Sequence, residues 1–216
     1  MKRRLVIFDY DGTIGDTRQN IIRTFQTTMR RLGLDVRDEA TCAQTIGLTL
    51  RDGFLAMYPD MDGEAADRCV ATYREIYFED IDANIPELFP HVAETLRSLY
   101  NQGYTLTIAS SRSSPSLRLF IERAGIADYF SYILGADNVA KHKPDPEPVL
   151  QTLRELDVEP SEAIVVGDMP VDILMARNAG VCAVGVSYGN ATREELRAAG
   201  ADYVIDDFAE LCAICK

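Results

Sequence analysis

The sequence has no hydrophobic run long enough to cross a membrane. The first apolar run, Leu5–Phe8, is too short for the hydrophobic region of a signal peptide and ends at Asp9. Basic residues are also scarce, with 22 Lys and Arg against 34 Asp and Glu and a formal charge of −12. Such an acidic surface disfavours nucleic acid and anionic membranes as partners. We therefore expect a soluble cytoplasmic protein that binds neither nucleic acid nor a membrane.

Cysteine is present only five times, at scattered positions, which argues against a disulfide framework and favours a reducing compartment. Cys212 and Cys215 form a C-x-x-C motif, but this motif closes the chain instead of opening a helix after a strand. We therefore interpret it as a half-buried last turn and not as a redox site. The chain also lacks any G-x-G-x-x-G segment, which excludes a standard dinucleotide-binding fingerprint.

Short apolar runs, each ending at a polar residue or glycine, alternate with stretches of helical periodicity. Strands buried on both faces have this pattern, which is typical of a doubly wound parallel α/β sheet of three layers. The runs cover residues 5–8, 105–109, 132–134, 163–166, 182–186 and 203–205.

One region breaks this alternation, because residues 16–84 show helical periodicity without a convincing buried strand. A simple crossover between parallel strands needs only about a dozen residues. The sequence therefore predicts an all-α helical cap domain over 16–84, inserted into a core domain formed by 1–15 and 85–216. We expect hinges near Gly15 and Pro86, and a monomer, with a homodimer as the alternative.

Polar side chains follow four of the predicted strands at their carboxyl ends, where open α/β sheets bind their ligands. Carboxylates crowded into one pocket repel one another, by about 4 kcal/mol for two charges 4 Å apart at an effective dielectric near 20. Such a cluster must take up protons or bind a hard cation, and a few oxygen ligands with room for phosphate suit Mg²⁺. The residues are Asp9 and Asp11, Ser110 and Ser111, Lys143, and Asp168 and Asp172.

These residue types fit phosphoryl transfer, which needs mainly positioning and charge stabilisation. Asp9 is the candidate nucleophile, and Asp11 the candidate acid that protonates the leaving oxygen and later activates water. Ser110 would donate a hydrogen bond to a phosphate oxygen, and Lys143 would neutralise charge on the nucleophile and the phosphate. Gly12 lets the backbone turn close to the phosphate.

Four segments resemble the motifs of the haloacid dehalogenase superfamily: D-Y-D-G-T at 9–13, Ser110, K-P at 143–144, and G-D-M-P-V-D at 167–172. The helical insertion resembles the cap of its phosphoglycolate phosphatase-like and β-phosphoglucomutase-like branch. This resemblance implies the same core fold, with an aspartyl-phosphate forming on Asp9. It also implies that Mg²⁺ is bound by Asp9, the backbone carbonyl of Asp11, and Asp168, with support from Asp172.

Residues 46–51 resemble the substrate-specificity loop of that branch, and we assign Arg51 to substrate contact together with Gly12, Thr13 and Ser111. Two positions depart from the family pattern: His91, where many relatives carry glycine, and Pro170 inside the fourth motif. We expect His91 and His142 to be structural. The aromatic residues Tyr73, Tyr77 and Phe78 are assigned to the core of the cap.

The predicted function is a Mg²⁺-dependent phosphatase acting on a small phosphorylated metabolite of the phosphoglycolate type. A sugar phosphomutase of the β-phosphoglucomutase type and an inorganic pyrophosphatase remain as alternatives. A dehalogenase is disfavoured, because its chemistry needs no acid such as Asp11. A phospho-acceptor receiver domain does not fit, because receiver domains are about half this length and a helical insertion after the first strand does not belong to them.

Overall fold

The computed structural model describes residues 4–79, 81 and 85–215, and six strands in this part form one parallel sheet. The strand order is β3-β2-β1-β4-β5-β6, which confirms the predicted doubly wound α/β class. The strands are β1 (Leu5–Phe8), β2 (Thr105–Ala109), β3 (Phe130–Leu134), β4 (Ala163–Gly167), β5 (Cys182–Val186) and β6 (Tyr203–Ile205).

Alternate side chains of β1 point to opposite faces of the sheet, and both faces are covered. Val6 and Phe8 belong to one buried cluster, whereas Leu5 and Ile7 belong to the other. Every β1 side chain is completely buried. Burial on both faces explains why these strands are apolar throughout and not alternately polar and apolar.

Helices of the core domain cover the two faces of the sheet. On the Phe8 side pack α5 (Val92–Asn101), α6 (Ser114–Arg123) and the short α10 (Leu211–Ile214). On the Ile7 side pack α7 (Glu147–Leu156), α8 (Pro170–Asn178) and α9 (Arg193–Ala198). Neither α9 nor α10 was predicted, because six and four residues are too few to display helical periodicity.

Between β1 and α5 lie four helices of the described chain: α1 (Arg18–Arg31), α2 (Glu39–Ala43), α3 (Leu50–Met57) and α4 (Gly63–Glu79). Phe25 of α1 packs against Phe54 of α3 and Tyr73 of α4, with ring centroids 5.1 and 5.0 Å away. The Thr49 hydroxyl accepts a hydrogen bond from the Asp52 amide and so caps the start of α3. The predicted end of the cap at residue 84 lies outside the described residues, and the division into two domains stays a prediction.

The two departures from the family pattern have local structural reasons. His91 lies just before α5 with a φ of 63°, a left-handed conformation that glycine adopts without strain. Its ring approaches the Asp207 carboxylate to 2.8 Å, so it makes a surface ion pair when protonated. Pro170 is the first residue of α8, where the helix does not use a backbone N–H and proline is well tolerated.

The cysteines of the described chain are all free. All five cysteines lie in the described part of the chain, and no disulfide joins any two of them. Cys212 lies in α10 and Cys215 caps its end, as expected for a last turn. Within residues 4–79, 81 and 85–215, no helix combines the length and the hydropathy that crossing a membrane requires.

The position of β1 determines where a site can form. Hydrogen bonding pairs β1 with β2 on one side and with β4 on the other, with Leu5 opposite both Thr105 and Ala163. The strands that follow β1 in sequence therefore lie on both sides of it, with β2 and β3 on one side and β4, β5 and β6 on the other. In open α/β sheets, ligands bind at such a switch point, outside the carboxyl ends of the strands. Asp9 is the first residue beyond that end of β1.

Candidate active site

Lys143 joins two aspartates at the carboxyl edge of the sheet. Its Nζ donates to Asp9 Oδ1 and to Asp172 Oδ1, each at 2.6 Å. All three side chains are at most 5% exposed. Asp172 is held from a second direction as well, because its Oδ2 accepts a hydrogen bond from the Met169 amide at the start of α8. The lysine and both carboxylates are thus fixed in position before any substrate binds.

The charges of this cluster do not balance. Burial raises the pKa of Asp9 to about 7, and the neighbouring carboxylates add to the rise while Lys143 opposes it. Burial, followed by repulsion from Asp172 and Asp9, also holds the pKa of Asp168 well above its usual range. Burial lowers the pKa of Lys143, but Asp172 and Asp9 together outweigh it, so that pKa is raised and the ammonium stays charged. One cation therefore faces three carboxylates.

Asp168 follows β4 and is contacted by groups from two other loops, the one after β1 and the one after β5. The amide nitrogen and the side-chain Nδ2 of Asn190 both donate to its Oδ2, at 2.7 Å each. The Thr13 hydroxyl lies 3.5 Å from its Oδ1. Gly12 has a φ of +85°, and a Cβ at this position would stand 2.1 Å from Asp168 Oδ2. Glycine is thus required here both by the backbone conformation and by the close approach of the carboxylate.

Asp9, Asp168 and Asp172 form a candidate cation site. Each offers a carboxylate oxygen, the chosen oxygens all lie within 4.8 Å of one another, and all three residues are buried. Lys143 neutralises only part of the charge, and burying unpaired carboxylates is costly. An all-oxygen set with surplus negative charge fits a hard divalent cation. The predicted ligands Asp9, Asp168 and Asp172 are therefore together, with the Asp9 and Asp168 carboxylates close enough to share one ion.

The second predicted catalytic aspartate meets a different cation. Both oxygens of Asp11 accept hydrogen bonds from Arg112, with Nη2 donating to Oδ1 at 2.8 Å and Nε lying 3.1 Å from each oxygen. Arg112 follows Ser110 and Ser111 in the loop after β2. Ser110 is buried near this pair, and its hydroxyl accepts a long 3.4 Å hydrogen bond from the Arg112 amide.

A cavity of about 470 Å³ separates these residues from the cap. Asp9, Asp11, Ser110 and Ser111 line its core side, and Arg51 with the rest of the 46–51 loop lines its cap side. The cavity brings the predicted catalytic residues and the predicted specificity loop to one space. Gly12 and Thr13 lie instead against Asp168, and their assignment to substrate contact stays a prediction.

Cap and core also touch directly across this cavity. The Ser111 hydroxyl donates to the backbone carbonyl of Gly47 at 2.6 Å. Tyr73 and Tyr77 are buried, as expected for core residues, yet both also line the cavity. Phe78 is 50% exposed and lines the same cavity, so its assignment to the cap core was wrong. It directly follows Tyr77 on α4, and adjacent helix positions face different directions.

A comparison with known proteins identifies the family. The model of the haloacid dehalogenase-like hydrolases matches residues 6–186. The chain belongs to this family. The predicted superfamily resemblance, and with it the prediction of an enzyme, is confirmed. The matched range extends from β1 to the end of β5 and includes every residue of the charged cluster described above.

Individual relatives are similar over nearly the whole chain. A Dickeya dadantii protein named "Probable phosphatase IndB" is 38% identical and covers 96% of this chain and 91% of its own length. Pyrophosphatase PpaX of Oceanobacillus iheyensis is 32% identical, with 99% and 97% covered. Phosphoglycolate phosphatase of Vibrio vulnificus is 30% identical, with 96% and 94% covered. The crystal structure of a haloacid dehalogenase-like hydrolase from Bacteroides fragilis superposes with a TM-score of 0.92 at 30% identity, with 97% and 100% covered.

Two residues of the site were missed in the sequence. Arg112 and Asn190 contact Asp11 and Asp168, from which they are separated by 101 and 22 residues. Neither position carries a motif that marks it. The one available signal concerned Arg112. It directly follows Ser110 and Ser111 at the carboxyl end of a predicted strand, and a cation at that end of a strand can reach the site.

Proposed function

We propose that this chain is a Mg²⁺-dependent phosphatase that hydrolyses a small phosphomonoester through an aspartyl-phosphate on Asp9. The observation that carries this proposal is the buried Asp9 carboxylate at the end of β1. One of its oxygens is held by Lys143 at 2.6 Å, and it shares a potential cation site with Asp168 and Asp172. A carboxylate so placed faces the cavity as a nucleophile with its charge partly compensated.

Magnesium would be held by Asp9, Asp168 and the Asp11 carbonyl, with Asp172 in support, and when bound it supplies a Lewis acid that draws charge from the phosphoryl oxygens. Lys143 keeps the Asp9 carboxylate oriented and offsets its repulsion from the incoming phosphate. The Ser110 hydroxyl lines the same space and is a donor for a phosphate oxygen. Asn190 keeps the Asp168 carboxylate from rotating.

The reaction divides into two displacements. In the first, a carboxylate oxygen of Asp9 bonds to phosphorus, the ester P–O bond breaks, and the leaving oxygen takes the proton of the Asp11 carboxyl group. In the second, the Asp11 carboxylate takes a proton from water, the water oxygen bonds to phosphorus, and the bond to Asp9 breaks. The products are an alcohol and inorganic phosphate, and both aspartates return to their starting states.

The substrate class has two candidates. Similarity to the Vibrio phosphoglycolate phosphatase supports a small phosphomonoester, and similarity to the pyrophosphatase PpaX supports inorganic pyrophosphate. A phosphate-release assay with Mg²⁺ over phosphoglycolate, pyrophosphate and hexose phosphates separates them. Conversion of hexose 1-phosphate to its 6-phosphate without phosphate release would instead indicate a phosphomutase.

Asp9→Asn is the matched blank for this assay, because it keeps the size of the side chain and removes the nucleophile. We expect a loss of turnover of at least about 10³-fold. Borohydride reduces acyl phosphates, so treatment during turnover should convert residue 9 to homoserine in the peptide mass spectrum. Turnover by Asp9→Asn at the wild-type rate would refute the proposal, as would turnover that is unaffected by chelation of Mg²⁺.

A further inference from the structure

Arg112 is built as a receptor for a planar or tetrahedral anion. Its guanidinium is about 10% exposed at the cavity wall and lies over the rings of Tyr77 and Phe120, 5.2 and 4.9 Å from their centroids. Nη1 donates to the Ser116 hydroxyl at 3.1 Å. The two rings and Ser116 fix the plane of the guanidinium group. The edge that carries Nε and Nη2, called the fork below, therefore points at the Asp11 carboxylate.

The guanidinium of Arg112 is charged at any pH at which the protein is folded, because arginine does not lose its proton in proteins. A charged guanidinium in such a place needs an anionic partner at all times, because leaving it unpaired is strongly unfavourable. In this structure, Asp11 is that partner. The two side chains are 10% and 13% exposed, so the pair lies at the edge of the cavity.

This contact conflicts with the catalytic task assigned to Asp11. The leaving oxygen has to receive a hydrogen bond from Asp11, yet both carboxylate oxygens are directed at Arg112. Asp11 must therefore turn away from Arg112 before the ester bond breaks. A substrate whose leaving group is uncharged offers Arg112 no replacement. A leaving group with its own carboxylate or phosphate can take the place of Asp11 on the fork.

We propose that Arg112 binds a second anionic group on the leaving-group side of the substrate and that this exchange releases Asp11 to act on the ester oxygen. The inference rests on the proposed phosphatase function and narrows its substrate class. Because Arg112 contacts Asp11 directly, the second anion must lie within one or two bonds of the carbon or phosphorus bearing the leaving oxygen. Arg112 is then both the specificity residue and the positioning residue of the acid.

Arg51 is the alternative receptor on the cap side of the cavity, and its surroundings differ. Its Nε donates to Asp67 Oδ1 at 3.0 Å, and its side chain is 47% exposed. An exposed ion pair of this kind is screened by solvent and discriminates weakly. Arg51 is therefore the competing receptor in the test: it lines the same cavity, but its ion pair with Asp67 is exposed, whereas that of Arg112 with Asp11 is nearly buried.

The test compares phosphoglycolate with its neutral amide, which keeps the shape of the leaving group and removes the charge. We expect kcat/KM of the wild-type enzyme to favour the carboxylate by about 10- to 100-fold, the range of a charge-assisted bidentate contact. Both kcat and KM should contribute, because the amide neither binds the fork nor frees Asp11. In a second set of measurements pyrophosphate is the substrate, and its kcat/KM tells whether Arg112 accepts a phosphate as well as a carboxylate.

In Arg112→Met the preference for the carboxylate should fall to nearly one, and in Arg112→Lys it should be partly restored, since lysine keeps the charge without the fork. In Arg51→Met it should stay within about threefold of the wild-type value. A folded Arg112→Met variant that keeps the wild-type preference for the carboxylate would overturn the inference. So would a loss of that preference in Arg51→Met but not in Arg112→Met.

Two measurements keep the test decisive. If Arg112→Met does not fold, calorimetric binding of the two ligands to the Asp9→Asn protein replaces it. There the carboxylate should bind at least tenfold more tightly, and equal affinities would refute the inference. If the wild-type protein hydrolyses neither ligand nor p-nitrophenyl phosphate, the proposed function itself fails. Hydrolysis without discrimination refutes only the role of Arg112.

Discussion

Asp9 and Asp11 are two residues apart, but they belong to two regions of the site that differ in how their charges are held. In the sheet-edge cluster, Lys143 contacts Asp9 and Asp172 at 2.6 Å, and the Met169 amide just before α8 donates to the other oxygen of Asp172. On the cavity wall, Arg112 holds Asp11, and the rings of Tyr77 and Phe120 lie against the guanidinium of Arg112. The first region is almost fully buried and reaches the cavity through Asp9, whereas Asp11 and Arg112 both lie along the cavity wall.

This difference separates two requirements of catalysis. A nucleophile works best when its surroundings are fixed beforehand, so that nothing reorganises during the reaction. The groups that choose a leaving group must instead change partners when the substrate arrives. A buried three-residue cluster meets the first requirement, and a single ion pair at the edge of a cavity meets the second. Substitutions in each region should reveal whether the two regions differ in this way.

The largest effect on stability is expected for Lys143→Met, measured by urea unfolding without Mg²⁺. Removing the ammonium leaves Asp9 and Asp172 buried next to each other, and breaking a buried pair costs about 3–5 kcal/mol. Arg112→Met should cost less, about 1–2 kcal/mol, because Asp11 can reach water in the cavity. Adding Asp172→Asn to Lys143→Met should recover part of the loss. Equal losses for the two cations would mean that the two regions are not held differently.

The next effect is on the rate of reaction. Asp11→Asn should lower kcat for phosphoglycolate by about 10²–10³-fold, because general acid catalysis contributes on this scale. In single-turnover experiments, which isolate the first displacement from the attack of water, the loss should be much smaller with p-nitrophenyl phosphate, whose leaving group needs no proton. Asp172→Asn serves as the comparison, since it disturbs Lys143 and should affect both substrates alike. A similar loss of the single-turnover rate with both substrates in Asp11→Asn would contradict the assigned role of an acid in the first displacement.

A smaller effect is expected when pH is varied: the free energy of unfolding should change because of the sheet-edge cluster. In the folded protein without metal the pKa of Asp9 is raised to about 7, against 3.8 for an ordinary aspartate. Between these values the folded state binds more protons than the unfolded state, so stability falls as pH rises. We expect a loss of about 1–2 kcal/mol between pH 5 and pH 7.5. Mg²⁺ should restore most of it at the upper end.

Asp9→Asn is the control for this measurement, because an amide does not titrate. In this variant the free energy of unfolding should decrease less steeply as pH rises. Asp168, whose pKa is raised in the same direction, accounts for what remains. A free energy of unfolding that rises from pH 5 to pH 7.5 in the metal-free protein would show that these carboxylates are already compensated. The need for a cation would then disappear.

The sheet and its charged edge could be predicted from the sequence for a simple physical reason. A strand buried on both faces must be apolar along its whole length, and the polar residue that ends it marks the edge where ligands bind. The predicted runs at 5–8, 105–109, 182–186 and 203–205 coincide with β1, β2, β5 and β6. Asp9, Lys143 and Asp172 are brought together by that rule combined with the order of the strands.

The contacts that complete the site could not be predicted in the same way. The pairing of Arg112 with Asp11 depends on where the loop after β2 turns and on the rings of Tyr77 and Phe120, which come from α4 and α6. No periodicity reports such an encounter between distant segments. Phe78 shows the same limit, since periodicity marks a helix but does not decide which of two adjacent aromatic residues faces the cavity.

The smallest effect concerns the contact between the two regions. The Ser111 hydroxyl donates to the Gly47 carbonyl at 2.6 Å and so links the loop after β2 to the predicted specificity loop of the predicted cap. Ser111→Ala should weaken closure of the cap by about 1 kcal/mol, which raises KM about fivefold with little change in kcat. Ser113→Ala is the matched control, because Ser113 lines the same cavity but its side chain makes no capping hydrogen bond to α6. If both variants shift KM equally, the Ser111 hydroxyl acts on the substrate pocket in general and not through the cap. If Ser111→Ala lowers kcat instead, the hydroxyl takes part in the reaction at the sheet edge, and the boundary drawn between the two regions must move to include it.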